Sequence, residues 1–211
     1  TSSFSNANYA YSFLENDIQK FHLDKIASLL TPNSRSFHIA SGCNGAACTA
    51  LFSACQLDQD AELLILSANE FVEVDYHEII NDFRLRELDA GTITFSSVHP
   101  RYSYVRIVED FVEEASQFKP ISKNATAGAF WYRSTRLFVD AVKRQIMKDA
   151  MTEGKFFVAL SLNELILQNC KIGFSRIDKT AYTQFKSKQK IEKSAFFIAL
   201  ACLYIVRLPG R

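Results

Sequence analysis

The sequence predicts an α/β fold with a mostly parallel sheet covered by helices on both faces, and three observations lead there. Residues 62–67, Glu-Leu-Leu-Ile-Leu-Ser, form an apolar run with no alternation, as in a strand buried on both faces. Segments with helical spacing of apolar residues alternate along the chain with short β-branched runs, the order that gives parallel crossovers. The 211 residues are 48% hydrophobic and 22% charged, enough apolar material for a full core and too much for a disordered, collagenous or coiled-coil chain. No repeat, low-complexity tract or linker divides the chain, so a single domain over 1–211 is expected.

Taken in order, residues 11–30 carry Phe13, Leu14, Ile18, Phe21, Ile26, Leu29 and Leu30 at spacings of three and four and read as one amphipathic helix ending before Thr31-Pro32. A short strand follows at 37–39. The loop Ser41-Gly42-Cys43-Asn44-Gly45 opens a helix of small residues over 46–56. After the buried strand, 76–87 read as a helix with Ile79, Ile80, Phe83 and Leu88 inward, and 91–96 as a strand. Residues 104–108 and 111–115 form a hairpin about Glu109-Asp110, 126–132 a strand, and 135–148 a helix with Leu137, Phe138, Ala141, Val142 and Ile146 on one face. The segments 156–160, a short helix at 162–167 and 171–177 complete the pattern. The apolar run 196–206 is shorter than the roughly 20 residues that span a bilayer and reads as a buried helix or strand.

Charge narrows the function. The 24 Lys and Arg against 23 Asp and Glu leave a net charge of +1 with no basic stripe, so nucleic acid is not an expected partner. Cys43, Cys48, Cys55, Cys170 and Cys202 lack CxxC pairing or zinc-like spacing and are expected as reduced thiols filling the core of a cytoplasmic protein. No basic-then-apolar leader opens the chain, which begins at Thr1 without Met, so an upstream piece is expected to be missing.

Ligands of parallel sheets bind beyond the carboxyl ends of the strands, which directs attention to 40–46, 67–75, 97–103 and 117–128. Gly42-Cys43-Asn44-Gly45-Ala46-Ala47 puts small residues at a helix start, where backbone amides favour an anion or a flat base; an ordinary turn reads the same way. Asn69, Glu70, Glu73 and Asp75 concentrate oxygen ligands after the buried strand, or cap the helix that follows. His99-Pro100-Arg101-Tyr102-Ser103-Tyr104 joins a cation to aromatic rings. Lys119 precedes Thr126-Ala127-Gly128-Ala129-Phe130, where a strand glycine admits a ligand or another backbone.

The stretches Gly45-Ala46-Ala47-Cys48-Thr49-Ala50-Leu51, 63–75, Ala90-Gly91-Thr92-Ile93-Thr94-Phe95, 99–104, Lys119-Pro120-Ile121-Ser122 with Ala125-Thr126-Ala127-Gly128, and Phe156-Phe157-Val158-Ala159 with Leu162-Asn163-Glu164-Leu165-Ile166 together span about residues 37–177. In this order they resemble the sugar-phosphate nucleotidyltransferase-like proteins of bacterial capsule and lipopolysaccharide clusters, also labelled glycosyltransferase family 2. The resemblance implies a Rossmann-like mixed, mostly parallel sheet flanked by helices, N-terminally incomplete. It implies a cytoplasmic transferase of the nucleotide-sugar class in surface polysaccharide biosynthesis, moving a nucleotidyl group to a sugar phosphate or a glycosyl group from a nucleotide sugar, with magnesium. By position, Asn44, Gly45 and Ala46 face the base, Asn69 and Glu70 approach the metal, and Glu70 with Asp75 holds it. Lys119 and Glu70 are the expected catalytic pair, with Lys119 on phosphate. Tyr102, Gly128, Asn163 and Glu164 shape the sugar pocket.

Four departures accompany the resemblance. The glycine-rich strand and loop that open such proteins are absent here. Asn69 stands where the family carries a metal-binding Asp. Gln117-Phe118-Lys119 keeps one cation of a pair, and Phe185-Lys186-Ser187-Lys188-Gln189-Lys190 replaces a late acidic element. A catalytically degenerate sugar- or nucleotide-binding module or subunit is therefore the alternative expectation. The apolar run 196–206 is also suited to a second copy of the chain.

Overall fold

The computed structural model describes residues 7–40, 42–185 and the backbone of 203–208. The first strand, β1 (Asn8–Leu14), leads through α1 (Glu15–Phe21) and α2 (Leu23–Leu30) to β2 (Arg35–Ile39). Next come α3 (Ala46–Ala54), β3 (Glu62–Ser67), β4 (Glu70–Val72) and α4 (Tyr76–Leu85). They are followed by β5 (Ala90–Ser96), the hairpin β6 (Ser103–Val108) and β7 (Phe111–Gln117), β8 (Asn124–Tyr132) and α5 (Thr135–Met147). A 3-10 turn (Val158–Leu160) runs into α6 (Ser161–Ile166), and β9 (Ile172–Arg176), a second turn (Lys179–Ala181), β10 (Tyr182–Gln184) and β11 (Leu203–Leu208) follow.

The main sheet has the order β2-β1-β11-β3-β8-β5-β9, with β6 joined to β8. Pairing is parallel for β1–β2 and β5–β9 and antiparallel at β1–β11, β11–β3, β3–β8 and β8–β5. Five strands of that path point one way while β8 and β11 run against them, so the sheet is mixed, mostly parallel in strand direction, and has one edge where the carboxyl ends collect. The buried, unalternating β3 is where the sequence puts it.

The period-two pleat sorts the core onto the two faces of the sheet. Leu63 and Ile65 of β3, with Phe130 and Tyr132 of β8, pack against α3, α5 and α6. On the other face Leu64 and Trp131 meet Ile80 and Phe83 of α4. The helix α5 buries Phe138, Ala141 and Val142 of its expected face together with Val139, whereas Leu137 is partly buried and Ile146 is exposed. Each of its large buried apolar side chains contributes roughly 1.5–3 kcal/mol. Glu62 is buried at the head of β3 because Arg84 forks onto its carboxylate (2.7 Å) and the Trp131 indole donates to it (3.3 Å).

Two sequence expectations are corrected. Residues 11–30 do not make one helix. The run from Asn8 to Leu14 is a strand whose Tyr11 and Phe13 pack on Ile18, Leu23 and Ala27, while Ala10 joins the α3 face and Ser12 Oγ bonds Ser53 Oγ at 2.7 Å. His22, at φ 51°, then breaks the helical remainder into α1 and α2. The cysteines are core filler only in part: Cys48 and Cys170 are half-buried and pack against the core, whereas Cys43 and Cys55 are exposed, and all four are free thiols. Cys202 lies outside the described residues. The run 196–206 lies mostly outside them too, and its part within β11 is extended. No helix among the described residues is long and apolar enough to cross a membrane.

Candidate functional site at the carboxyl edge of the sheet

Glu70 is the first residue of β4, a three-residue strand that leaves the main sheet and pairs antiparallel with β10 to form a small second sheet. Register sets Glu70 opposite Gln184 and Val72 opposite Tyr182, so these four share one face. That face is inward: Val72 and Tyr182 are buried with Phe95, Tyr102, Ala127 and Ala129. The Tyr182 ring stacks on Phe95 (centroids 4.1 Å apart) and meets Tyr102 edge-on (5.8 Å).

From there the Tyr182 hydroxyl donates to Glu70 Oε1 at 3.0 Å. Glu70 Oε2 is shut off from solvent and has no hydrogen-bond partner among the described residues. Its neighbour is Gly128 of β8, held at φ +64°, where an added methyl would lie 1.8 Å from Oε2 and 2.8 Å from Ser67 Cβ. The sequence expectation that Gly128 permits a close approach is thus met by a side chain of the chain itself, Glu70. Burial raises the Glu70 carboxyl to about 7, the Tyr182 bond only partly opposing it. Burial, and then the Glu70 charge, raise the phenols of Tyr76 and Tyr182, which keeps Tyr182 a donor.

A cation stands beside this cluster. The Arg101 guanidinium lies 4.5 Å over the Tyr102 ring, one of its NH2 groups bonds the Tyr102 hydroxyl, and its buried Nε has no partner among the described residues. The loop carrying Lys119 is tied to the same place: Phe118 N donates to Tyr102 O (3.0 Å) and Ser97 N to Lys123 O (3.0 Å). Lys119 itself is exposed. The fold therefore brings Glu70, Gly128 and Tyr102 into one cluster, with Lys119 on an adjoining loop.

The other expected site residues have different work. The segment at Phe156 is fastened to Asn44, Gly45 and Ala46, of which Asn44 is exposed: Phe156 N donates to Asn44 O (2.9 Å) and Phe156 O accepts from Ala47 N (3.0 Å). Ala46 packs on the core. The helix-start amide of Ala47 is thus spent on Phe156 and that of Gly45 on Cys43 O (2.9 Å). Asn163 grips the β7 backbone, accepting from Ala115 N (2.7 Å) and donating to Ala115 O (2.8 Å). Glu164 is buried in an ion pair with Lys148 (2.8 Å). Both belong to the α3–α5–α6 face, opposite the Glu70 cluster, so neither shapes a pocket with Gly128.

Magnesium does not fit the residues expected to hold it. Asp75 is the N-cap of α4, its Oδ1 accepting from His77 N (2.8 Å) and Glu78 N (3.3 Å). Asn69 accepts from Ser67 Oγ at 2.5 Å through Oδ1 and carries no charge. No group of three His, Cys, Asp or Glu among the described residues is placed to share an ion. Replacing Asp75 with Ala removes the cap, and melting should show a loss of about 1 kcal/mol that is the same with magnesium or a chelator present. A loss that grows when the chelator is removed would restore Asp75 to a metal site.

Sequence reading missed Tyr182 and Gln184. The one local signal is the turn in which Asp178 caps Thr180 (2.9 Å); Tyr-Thr-Gln after it is too short and too polar for a strand to be read from its pattern.

No protein-family model and no curated protein matches the sequence. Solved structures do. A nucleoside-diphosphate-sugar pyrophosphorylase from Vibrio cholerae superposes with TM-score 0.71 at 14% identity, covering 87% of this chain and 79% of that one. An inositol-1-phosphate CTP transferase from T. maritima gives 0.61 at 11% identity over 86% and 73%. HddC from Yersinia pseudotuberculosis gives 0.53 at 14% identity over 86% and 74%. The likeness is one of architecture, and it bears out the resemblance read from the sequence at that level: this chain has the fold of the nucleotidyltransferase structures on which it superposes.

Proposed function

We propose that the chain is a transferase of the nucleotide-sugar class, moving a nucleotidyl group from a nucleoside triphosphate to a phosphorylated sugar in surface polysaccharide synthesis. The observation that carries this reading is the buried polar cluster of Glu70, Tyr182, Tyr102, Arg101 and Gly128 at the carboxyl edge of the sheet, where ligands of such sheets bind. In this reaction a phosphate oxygen of the sugar attacks the α-phosphorus and pyrophosphate leaves. Catalysis is then chiefly placement and charge neutralisation. Lys119 neutralises phosphate from its exposed loop, and Tyr102 and Arg101 wall the sugar side.

A specific observation favours a second reading, a nucleotide- or sugar-binding module without catalysis: Asp75 is committed to a cap and Asn69 carries no charge. One experiment separates the two. Melting is followed with each common nucleoside triphosphate, with and without magnesium, since a ligand at 100 times its Kd stabilises by about 2.7 kcal/mol. The transferase reading expects a shift that Lys119→Ala weakens at least tenfold, and pyrophosphate release once a hexose 1-phosphate is added. A shift without pyrophosphate selects the binding module, and no shift with any nucleotide sinks the nucleotide reading.

A further inference from the structure

Two buried acceptor oxygens on facing strands lack any donor among the described residues: Glu70 Oε2 and Gln184 Oε1. They belong to directly opposed residues of β4 and β10, whose side chains leave the same face of the small sheet. Buried polar atoms are nearly always paired, so two unpaired acceptors on opposed residues call for donors, and the Glu70 carboxyl, raised by burial to about 7, supplies one only while it is protonated. Around them the buried rings of Phe95, Tyr102 and Tyr182 pack on one another and on Arg101, so the surroundings are apolar and offer the two oxygens few other partners. Arg101, over Tyr102, presents a buried Nε without an acceptor and so adds one donor to the same surroundings.

We propose that Glu70 and Gln184 form a clamp that accepts hydrogen bonds from two neighbouring hydroxyls of a sugar, making them the residues that select the sugar. The assignment rests on the sugar-phosphate reading above and gives Glu70 a role in hydroxyl recognition in place of a metal ligand. An ammonium ligand also offers donors, but the Arg101 guanidinium beside the cluster opposes a second cation. A hydroxyl pair satisfies both oxygens without adding charge. Glu70 Oε1 is already held by Tyr182, which leaves Oε2 as the free oxygen and fixes the direction from which a donor arrives. Reaching it requires β10 to move. That strand is held by three residue pairs to β4, by Phe185 N to Asn69 O and Glu73 N to Ala181 O (2.9 Å each) and by the Tyr182 ring buried on Phe95, so the movement is a local shift that keeps Tyr182 and Gln184 opposite β4.

The test is calorimetric titration of the full chain with the 1-phosphates of glucose, galactose and mannose, and with inorganic phosphate, which lacks the hydroxyl pair. The wild type is expected to bind at least one hexose 1-phosphate more tightly than phosphate. Glu70→Gln and Gln184→Leu, each checked for folding by melting, should weaken that sugar at least tenfold and leave phosphate binding unchanged. The clamp is overturned if no hexose 1-phosphate binds better than phosphate, if both variants bind the sugar as the wild type does, or if sugar and phosphate binding fall together. A parallel titration with nucleoside triphosphate reads the transferase proposal separately: hexose binding that depends on both residues, without nucleotide binding, refutes the transferase and keeps the clamp.

Discussion

Glu70→Gln is expected to melt at a higher temperature than the wild type at pH 8 and at nearly the same temperature at pH 4.5. Burial lifts the Glu70 carboxyl from 4.5 to about 7 in the folded chain. Between those values the folded state holds a proton that the unfolded state has released. Stability therefore falls as pH rises through this window, and it is flat on either side as far as this group is concerned. The two limits differ by about 3 kcal/mol, which for a chain of this size is roughly 6–12 °C in Tm. The amide of Gln keeps the shape and never charges, so the difference between the two melting curves isolates Glu70 from every other titrating group. Curves that run parallel from pH 4.5 to 8 would show that the carboxyl is not desolvated and would remove the physical basis for the buried cluster.

The same substitution is expected to raise stability and weaken sugar binding. Opposite signs of that kind are what a binding group held in an unfavourable environment produces. A merely structural carboxyl would lose on both counts, because its native contacts would be what the substitution removed.

How far the sequence reveals the molecule depends on the range of the interaction involved. Strands β3, β5 and β8 and helices α4 and α5 are legible because burial writes period and composition directly into a short window. The segment 11–30 misleads because Tyr11, Phe13 and Leu14 continue a helical spacing by coincidence. What settles their state is the parallel pairing of β1 with β2, which lies some twenty residues ahead. Sheet order is hidden for the same reason: β11 enters between β1 and β3 from the far end of the chain. At the site, the loops to inspect follow from strand order alone, and Glu70, Gly128 and Tyr102 do meet. That Asp75 caps a helix is decided by a backbone two residues away, and that Asn163 grips β7 by a residue 48 positions earlier. A residue type shows what a side chain is able to do, whereas its partner determines what it does.

The loop before α3 shows this difference most sharply, and Gly45→Ala tests it. Gly45 lies at φ 100°, ψ 172°, a conformation that essentially only glycine adopts, and forcing a side chain there costs about 1–3 kcal/mol. The new methyl would also stand 2.4 Å from Phe156 O and 2.8 Å from Phe156 N, both backbone atoms that no rotamer change can move. Those two atoms make the hydrogen bonds to Ala47 N and Asn44 O that fasten the loop, each worth about 1 kcal/mol net. Strain and the loss of both bonds together predict a destabilisation of about 3–5 kcal/mol by denaturant unfolding. Gly42→Ala is the control, because Gly42 is also at positive φ, 118°, but has no atom within 4 Å of the added methyl. It should show the strain alone. Equal losses at the two glycines would mean that the Phe156 contact contributes nothing to stability. A Gly45 loss larger by about 2 kcal/mol would mean that the loop's glycines serve the packing of Phe156 and that the ligand site lies, as the Glu70 cluster indicates, on the other face of the sheet.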